Sequence, residues 1–128
     1  MLPRTQRLTS AQFDRAFSQS QSVRHPLISL KAHRRDDGDL TTRAAFVVPK
    51  KQGKAVARNR TRRRLRERYR LKARRDDLRG CDLIFLSTAA THGASSAELD
   101  AALDEVLRRM IRNLIARGDA ETRREPRN

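Results

Sequence analysis

Half of the basic side chains in this sequence lie in one segment. Between Lys50 and Arg79 there are 15 of the chain's 30 Lys and Arg residues, against three acids, Glu67, Asp76 and Asp77. The segment therefore has a net charge of +12, out of +15 for the whole chain. Most of these residues are Arg, whose planar guanidinium suits two-point contacts with phosphate. Charge concentrated in this way indicates a surface that binds a polyanion, with nucleic acid as the leading candidate.

The residue types that could catalyse a reaction or hold a metal show no useful spacing. His25, His33 and His92 are far apart, and none has the spacing to another His, Cys or carboxylate that a metal site or a triad requires. The acidic cluster at 36–39 could bind a cation, but Asp-Asp-Gly-Asp is also typical of a turn, which we favour. We therefore predict no catalytic residue and no metal site within this chain.

Length and composition predict a single domain. The chain has 128 residues, of which 37% are hydrophobic, enough for one modest core. We place this domain at 1–118 and expect 119–128 to be a disordered tail. The lone cysteine, Cys81, excludes an internal disulfide, and we find no apolar stretch long enough for a membrane helix or a signal peptide. A cytoplasmic protein is expected.

The first part of the chain predicts a helix and two strands. A capping box at 9–12 precedes Phe13 and Phe17, which recur on one helical face. Over 22–35 the apolar residues partly alternate, which favours a strand. The Asp-Gly pair that follows predicts a tight hairpin, after which the chain returns as a second strand over 40–48.

The second part predicts helix, strand and helix. After Gly53 neither Pro nor Gly occurs for 26 residues, and we predict a long helix from about Lys54 to Arg74. The apolar run within 82–88 is typical of a strand buried on both faces. A second capping box at 95–98 begins an amphipathic helix, which Gly118 should end.

This order of elements predicts an α+β fold, α-β-β(-β)-α-β-α, in which one small mixed sheet is packed by helices. The central helix is unusual, because arginines occupy seven positions between Val56 and Tyr69. Like charges three and four residues apart repel each other on a helix. Such a helix is expected where phosphates offset the repulsion, although a basic helix that only keeps the protein soluble is the alternative.

The sequence around this helix closely resembles a family signature. Residues 46–67, FVVPKKQGKAVARNRTRRRLRE, resemble the signature of the bacterial ribonuclease P protein subunit. That signature is a strand ending in Lys-Lys, then Gly-x-Ala-Val-x-Arg-Asn-Arg-x-(Lys or Arg)-Arg and a further Arg. The resemblance extends to Arg7-Leu8, the Phe13/Phe17 pair, Ser22-Val23 and Asp82-Leu83-Ile84, so that it covers about residues 4–116.

The resemblance implies an α/β sandwich in which the central helix joins two parallel strands by a left-handed crossover, whereas such connections are usually right-handed. It implies two partners, the catalytic ribonuclease P RNA and precursor tRNA, and does not require the protein to form an oligomer. In that family the RNA removes the 5′ leader with Mg²⁺ that is bound mainly by the RNA. The protein binds the RNA and the leader, and strengthens the binding of useful magnesium.

Transferred residue by residue, the resemblance implies two sites. One is the RNA-binding site on the basic helix and the turn before it, comprising Lys50, Lys51, Lys54, Arg58, Asn59, Arg60, Arg62, Arg63 and Arg66. The other is a leader cleft with Phe13 and Phe17, on which bases could stack, although both rings could instead be core residues. Two positions depart from the family pattern: Lys31 replaces a frequent aromatic residue in the cleft, and 87–89 replaces a frequently basic strand end.

Two other functions are weighed against this one. A basic ribosomal or ribosome-assembly protein would also bind structured RNA, but would not assist cleavage. A nuclease acting alone is disfavoured, because the sequence lacks the required carboxylate and histidine constellation. Cleavage of precursor tRNA by the protein alone, by the RNA alone and by both together separates the three.

Overall fold

The computed structural model describes residues 6–72 and 77–124. Within these ranges, four strands and three α-helices follow the predicted order, and they confirm the α+β fold class. The elements are α1 (Ser10–Ser18), β1 (Gln21–Val23), β2 (Ile28–Arg34), β3 (Arg43–Val47), α2 (Ala55–Arg70), β4 (Cys81–Ser87) and α3 (Ser96–Arg124).

The strands form one mixed sheet in the order β1-β2-β4-β3. Strand β4 is antiparallel to β2 and parallel to β3, so that Ile84 lies between Lys31 of β2 and Ala45 of β3. Helix α2 connects the parallel pair β3 and β4. The crossover implied by the resemblance is therefore present, and its handedness stays a prediction.

The predicted tight hairpin is wrong, because β4 lies between the two strands that it was to join. The residues at 36–39 do form a turn: Asp37 Oδ1 accepts from the amide of Asp39, and Asp39 Oδ1 accepts from the amide of Thr41. The bond from Thr41 also lowers the pKa of Asp39. The predicted turn at 36–39 is confirmed, but it belongs to a wider connection between two strands that are not neighbours in the sheet.

The single strand predicted over 22–35 is two strands, β1 and β2, which pair with each other. Pro26 lacks a backbone donor and interrupts the ladder between them. The turn is fixed by its neighbours, since Leu27 donates to His25 Nδ1 and the carbonyl of Pro26 accepts from Thr88 Oγ1. The predicted strand at 82–88 is confirmed as the central strand β4, which is buried along almost its whole length.

The two faces of the sheet are covered differently. One face packs against α2 and α3, and its core includes Leu30, Phe46, Leu65, Tyr69, Phe85, Leu103 and Leu107. Side chains that alternate with these strand residues face α1, where Ile84 and Ala16 are fully buried. Lys31 lies on this second face, beside the ring of Phe17. Helix α1 thus forms a separate small layer on the side opposite to α2 and α3.

The helix ends are partly as predicted. Both capping boxes are confirmed, with Thr9 bonded reciprocally to Gln12 and Ser95 to Glu98. Helix α2 ends at Arg70 and not at Arg74, because Lys72 turns back and donates its amide to Tyr69; residues 73–76 lie outside the described residues.

The predicted helix stop at Gly118 is wrong, since α3 continues to Arg124. One glycine costs a helix only about 1 kcal/mol relative to Ala, and no proline follows until Pro126. The domain boundary at 118 and the disorder of 119–128 stay predictions.

Candidate nucleic-acid interface

Helix α2 has one narrow buried face and a broad basic surface. Thr61, Leu65 and Tyr69 are buried at spacings of four residues, and the ring of Tyr69 packs against Phe46 and Phe85 with centroids 5.6 and 5.2 Å away. These aromatic contacts fix α2 on the sheet. Since only one side of the helix is needed for packing, the remaining positions are free to present charge to a partner.

Two of the arginines serve the fold. Arg64 donates from Nη2 to the carbonyl of Ala94 at 2.7 Å, and Arg68 Nη1 lies 3.4 Å from Asp100 of α3. Lys72 continues this row, with its Nζ 3.4 Å from Asp100 and 3.3 Å from Asp104. Neither Arg64 nor Arg68 is among the predicted RNA-binding residues, which agrees with their contacts here.

The opposite flank of α2 carries the predicted RNA-binding residues. A shallow groove is lined by Val56, Asn59, Arg60, Arg62, Arg63 and Arg66. Within the described residues, no carboxylate forms an ion pair with any of these four arginines; Arg62 instead donates to Asn59 Oδ1 at 2.7 Å. The one acid of α2, Glu67, pairs with Arg70, whose hydrogen bond lowers the pKa of Glu67. The groove is therefore strongly positive.

The turn before α2 holds the predicted lysines at the helix start. Lys50 and Lys51 lie in a short 3-10 turn, Lys50–Gln52. Gln52 locks this turn to the end of β4: it accepts from Ser87 Oγ at 2.6 Å and donates to the carbonyl of Ser87 at 3.3 Å. The predicted residue Arg58 is half-buried and donates to the carbonyl of Gly53 at 3.1 Å, so its guanidinium also braces the turn.

The three residues predicted for the leader cleft lie together. The rings of Phe13 and Phe17 are stacked with centroids 5.9 Å apart, and Lys31 Nζ lies 4.8 Å from the centre of the Phe17 ring. Phe17 is 45% exposed and neither ring belongs to the core cluster. Phe17 is therefore not a core residue; Phe13 is half-buried, and its place in the cleft stays a prediction. This patch lies on the α1 face of the sheet, opposite to the face that packs against α2.

The family model for ribonuclease P matches residues 2–111, most of the chain. The chain belongs to the ribonuclease P protein family. It is the protein component of a ribonuclease P holoenzyme, an endoribonuclease, and its partner there is RNA.

Curated relatives agree with the ribonuclease P assignment. The chain is 42% identical to the ribonuclease P protein component of Gluconacetobacter diazotrophicus over 110 residues, which cover 85% of this chain and 94% of that protein. It is 33% identical to the component from Clostridioides difficile over 78 residues, or 61% of each chain.

Solved structures of ribonuclease P proteins share the fold. The Staphylococcus aureus protein superposes with a TM-score of 0.69 at 23% identity, covering 80% of this chain and 93% of that chain. The Thermotoga maritima protein gives 0.69 at 22% identity, covering 80% and 96%. At these identities the likeness shows the fold alone.

The sequence does not predict two features of this ribonuclease P protein. One is the Gln52–Ser87 pair, for which the sequence has no local signal because the two residues are 35 positions apart. The other is the contact of His92 with Thr61 of α2, at 2.7 Å between Nδ1 and Oγ1. Separately, among the described residues no helix is both long and apolar enough to cross a membrane.

Proposed function

We propose that the positive groove of α2 and the lysine turn before it bind the catalytic RNA of ribonuclease P. The observation that supports this most directly is the division of the α2 arginines. Arg64 and Arg68 have partners on or next to α3, while Arg60, Arg63 and Arg66 face solvent without an acid among the described residues. Unpaired guanidinium groups on one flank are costly unless an anion binds there, and RNA phosphates supply that anion.

We propose that Phe13, Phe17 and Lys31 bind the single-stranded 5′ leader of precursor tRNA. An exposed pair of stacked rings offers a surface on which an unpaired base can stack. Lys31 also donates to Ser22 Oγ at 3.1 Å, which holds its ammonium beside Phe17 and supplies a positive charge for the leader backbone. Stacking and charge thus act at one place.

The reaction supported by these two sites is Mg²⁺-dependent removal of the leader from precursor tRNA in the cytoplasm. The protein binds the catalytic RNA and binds and orients the leader, and the magnesium ions are bound mainly by the RNA. The assay is cleavage of labelled precursor tRNA with Mg²⁺ by the protein alone, by the RNA alone and by both. At low Mg²⁺ we expect the protein and the RNA together to cleave faster than the RNA alone, and the protein alone not to cleave. Equal rates with and without the protein would contradict the proposal.

Phe17→Ala is expected to weaken binding of precursor tRNA to the holoenzyme about 5- to 100-fold, because one stacked base contributes roughly 1–3 kcal/mol. Mature tRNA has no leader, so its affinity should not change. Fluorescence anisotropy with the two labelled tRNAs measures both. Since the ring is 45% exposed, the fold should tolerate its loss.

Phe17→Tyr is the matched control, because it keeps an aromatic surface and should retain most of the affinity for precursor tRNA. An equal loss for precursor and mature tRNA would show that this ring does not contact the leader.

A further inference from the structure

His92 has a buried ring nitrogen that bonds to no group among residues 6–72 and 77–124. Its Nδ1 lies 2.7 Å from Thr61 Oγ1, a hydroxyl on the buried face of α2. This contact fixes the orientation of the imidazole ring. Its Nε2 is also buried and, within the described residues, is the one buried side-chain nitrogen or oxygen without a hydrogen-bond partner. Buried polar atoms in proteins nearly always have partners, so this exception needs an explanation.

The His92 ring lines a groove between the first half of α2 and the turn that precedes α3. Lys54, Arg60 and Arg64 line the same groove. Arg64 is anchored to the carbonyl of Ala94, whereas Lys54 and Arg60 pair with no carboxylate of the described residues. Lysine and arginine side chains carry hydrogen-bond donors and no acceptor. A ligand of this groove must therefore supply acceptor atoms, and it is most favourable if it is an anion.

We propose that this groove binds one phosphate of the partner RNA, with His92 Nε2, Lys54 and Arg60 as donors. The inference rests on the RNA-binding role proposed for α2 and adds a contact on the flank of the helix opposite to Arg62 and Arg66. In the neutral ring, Nε2 carries the proton when the Thr61 hydroxyl donates to Nδ1. Thr61 is then the positioning residue that sets both the tautomer and the direction of His92.

The position of the groove favours RNA over a small free anion. Val56 and Arg60 line both this groove and the positive groove on the other flank of α2, so the two grooves are continuous across the helix. A strand that covers the outer side of α2 therefore reaches both. Because Nε2 lies below the groove surface, binding includes a small shift at His92 and Gly93, of which Gly93 is exposed and has open space where a Cβ would lie.

The first test is His92→Asn in the full chain, assembled with the ribonuclease P RNA. An Asn amide can keep the bond to Thr61 near the position of Nδ1, but it places no donor near Nε2. We expect the Kd for the RNA to rise about tenfold or more, because a hydrogen bond to a charged group is lost, while the melting temperature stays near that of the wild type. His92→Gln, with an N–H near the Nε2 position, should recover part of the affinity. His33→Asn, on β2, should leave the RNA Kd unchanged.

Lys54→Ala is the second variant, since this exposed side chain can be removed without unfolding the protein. If Lys54 and His92 hold the same phosphate, the double variant should lose less affinity than the two single losses combined. Phosphorothioate interference should then find an RNA phosphate whose substitution weakens the wild type but not His92→Asn. If no such phosphate is found and the two losses of affinity are additive, the shared phosphate site is overturned.

The remaining outcomes separate this site from its alternatives. Wild-type RNA affinity in a folded His92→Asn protein would overturn the inference, and it would leave the proposed function intact if Arg62, Arg63 and Arg66 still prove necessary. Inorganic phosphate, followed through the Gly93 amide signal by NMR, should bind only at millimolar levels. Micromolar phosphate binding with unchanged RNA affinity would show a free-anion site and contradict the RNA assignment.

Discussion

Replacing Arg62, Arg63 and Arg66 together with alanine is expected to weaken binding of the ribonuclease P RNA by about two orders of magnitude at 0.1 M salt. All three line the positive groove of α2, and none lines the His92 groove. The slope of log K against log salt is negative, and each lost phosphate contact should reduce its magnitude by nearly one, so the triple variant should reduce it by nearly three. Filter binding across 0.05–0.4 M salt, roughly the range in which such slopes are measured, gives both quantities.

The fold should survive this triple substitution. None of the three arginines forms an ion pair within the described residues, and alanine has the highest helix propensity. Removing like charges from neighbouring turns also lowers repulsion within α2. The matched control removes the same charge elsewhere through Arg24, Arg108 and Arg112, which are exposed and lie outside α2. If the magnitude of the salt slope falls equally in the control variant and in the α2 variant, the RNA is held by net charge and not by this groove.

The sequence predicted the basic helix α2 and the turn before it, because their signals are local. Charge density and the motif at 46–67 identify α2 and the lysine turn without knowledge of the fold. Charge density alone does not show which arginines pack against the fold, although the residues transferred from the family signature leave out Arg64 and Arg68. Arg64 and Arg68 differ from Arg63 and Arg66 only in the direction that they face, and that direction is set by where Leu65 and Tyr69 pack.

The fold was predicted less completely, for a related reason. Periodicity located β2, β3 and β4, but it carries no information on which strands are neighbours. A local rule, Asp-Gly between two strands, favoured direct pairing of β2 with β3. Instead β4 lies between β2 and β3 and pairs with both, because it is the most apolar strand and is buried most fully in the centre of the sheet.

A buried charge cluster joins β4 to the connection between β2 and β3. From this cluster we predict a large effect on stability. Asp82, 2% exposed, accepts at Oδ1 from Arg35 Nη1 and from Arg43 Nε, the latter at 3.1 Å. Arg35 is also nearly buried and donates to the carbonyls of Asp39 and Thr41. Asp37, half-exposed, is the further acid in the cluster. Asp82 is thus the buried counter-charge for two arginines whose side chains are themselves largely buried.

Asp82→Ala is therefore expected to lower the free energy of unfolding by about 3 kcal/mol, because breaking a buried ion pair leaves charge without compensation. For a domain of this size that corresponds to a fall of roughly 10 °C in the melting temperature. Asp36→Ala removes an exposed acid from the same connection and should change stability by no more than about 0.5 kcal/mol. Urea unfolding followed by circular dichroism measures both variants.

RNA affinity should separate this effect from a role in binding. Asp82 lies at the start of β4, while Ser87, which holds the lysine turn, lies at its end about 16 Å away at the rise of a strand. Well below its melting temperature, the Asp82→Ala protein should therefore bind the ribonuclease P RNA with the wild-type salt slope. A salt slope of smaller magnitude in a folded sample would mean that the cluster positions the proposed RNA-binding residues through β4. Unchanged unfolding free energy would mean that Asp37 and the backbone carbonyls already compensate both arginines.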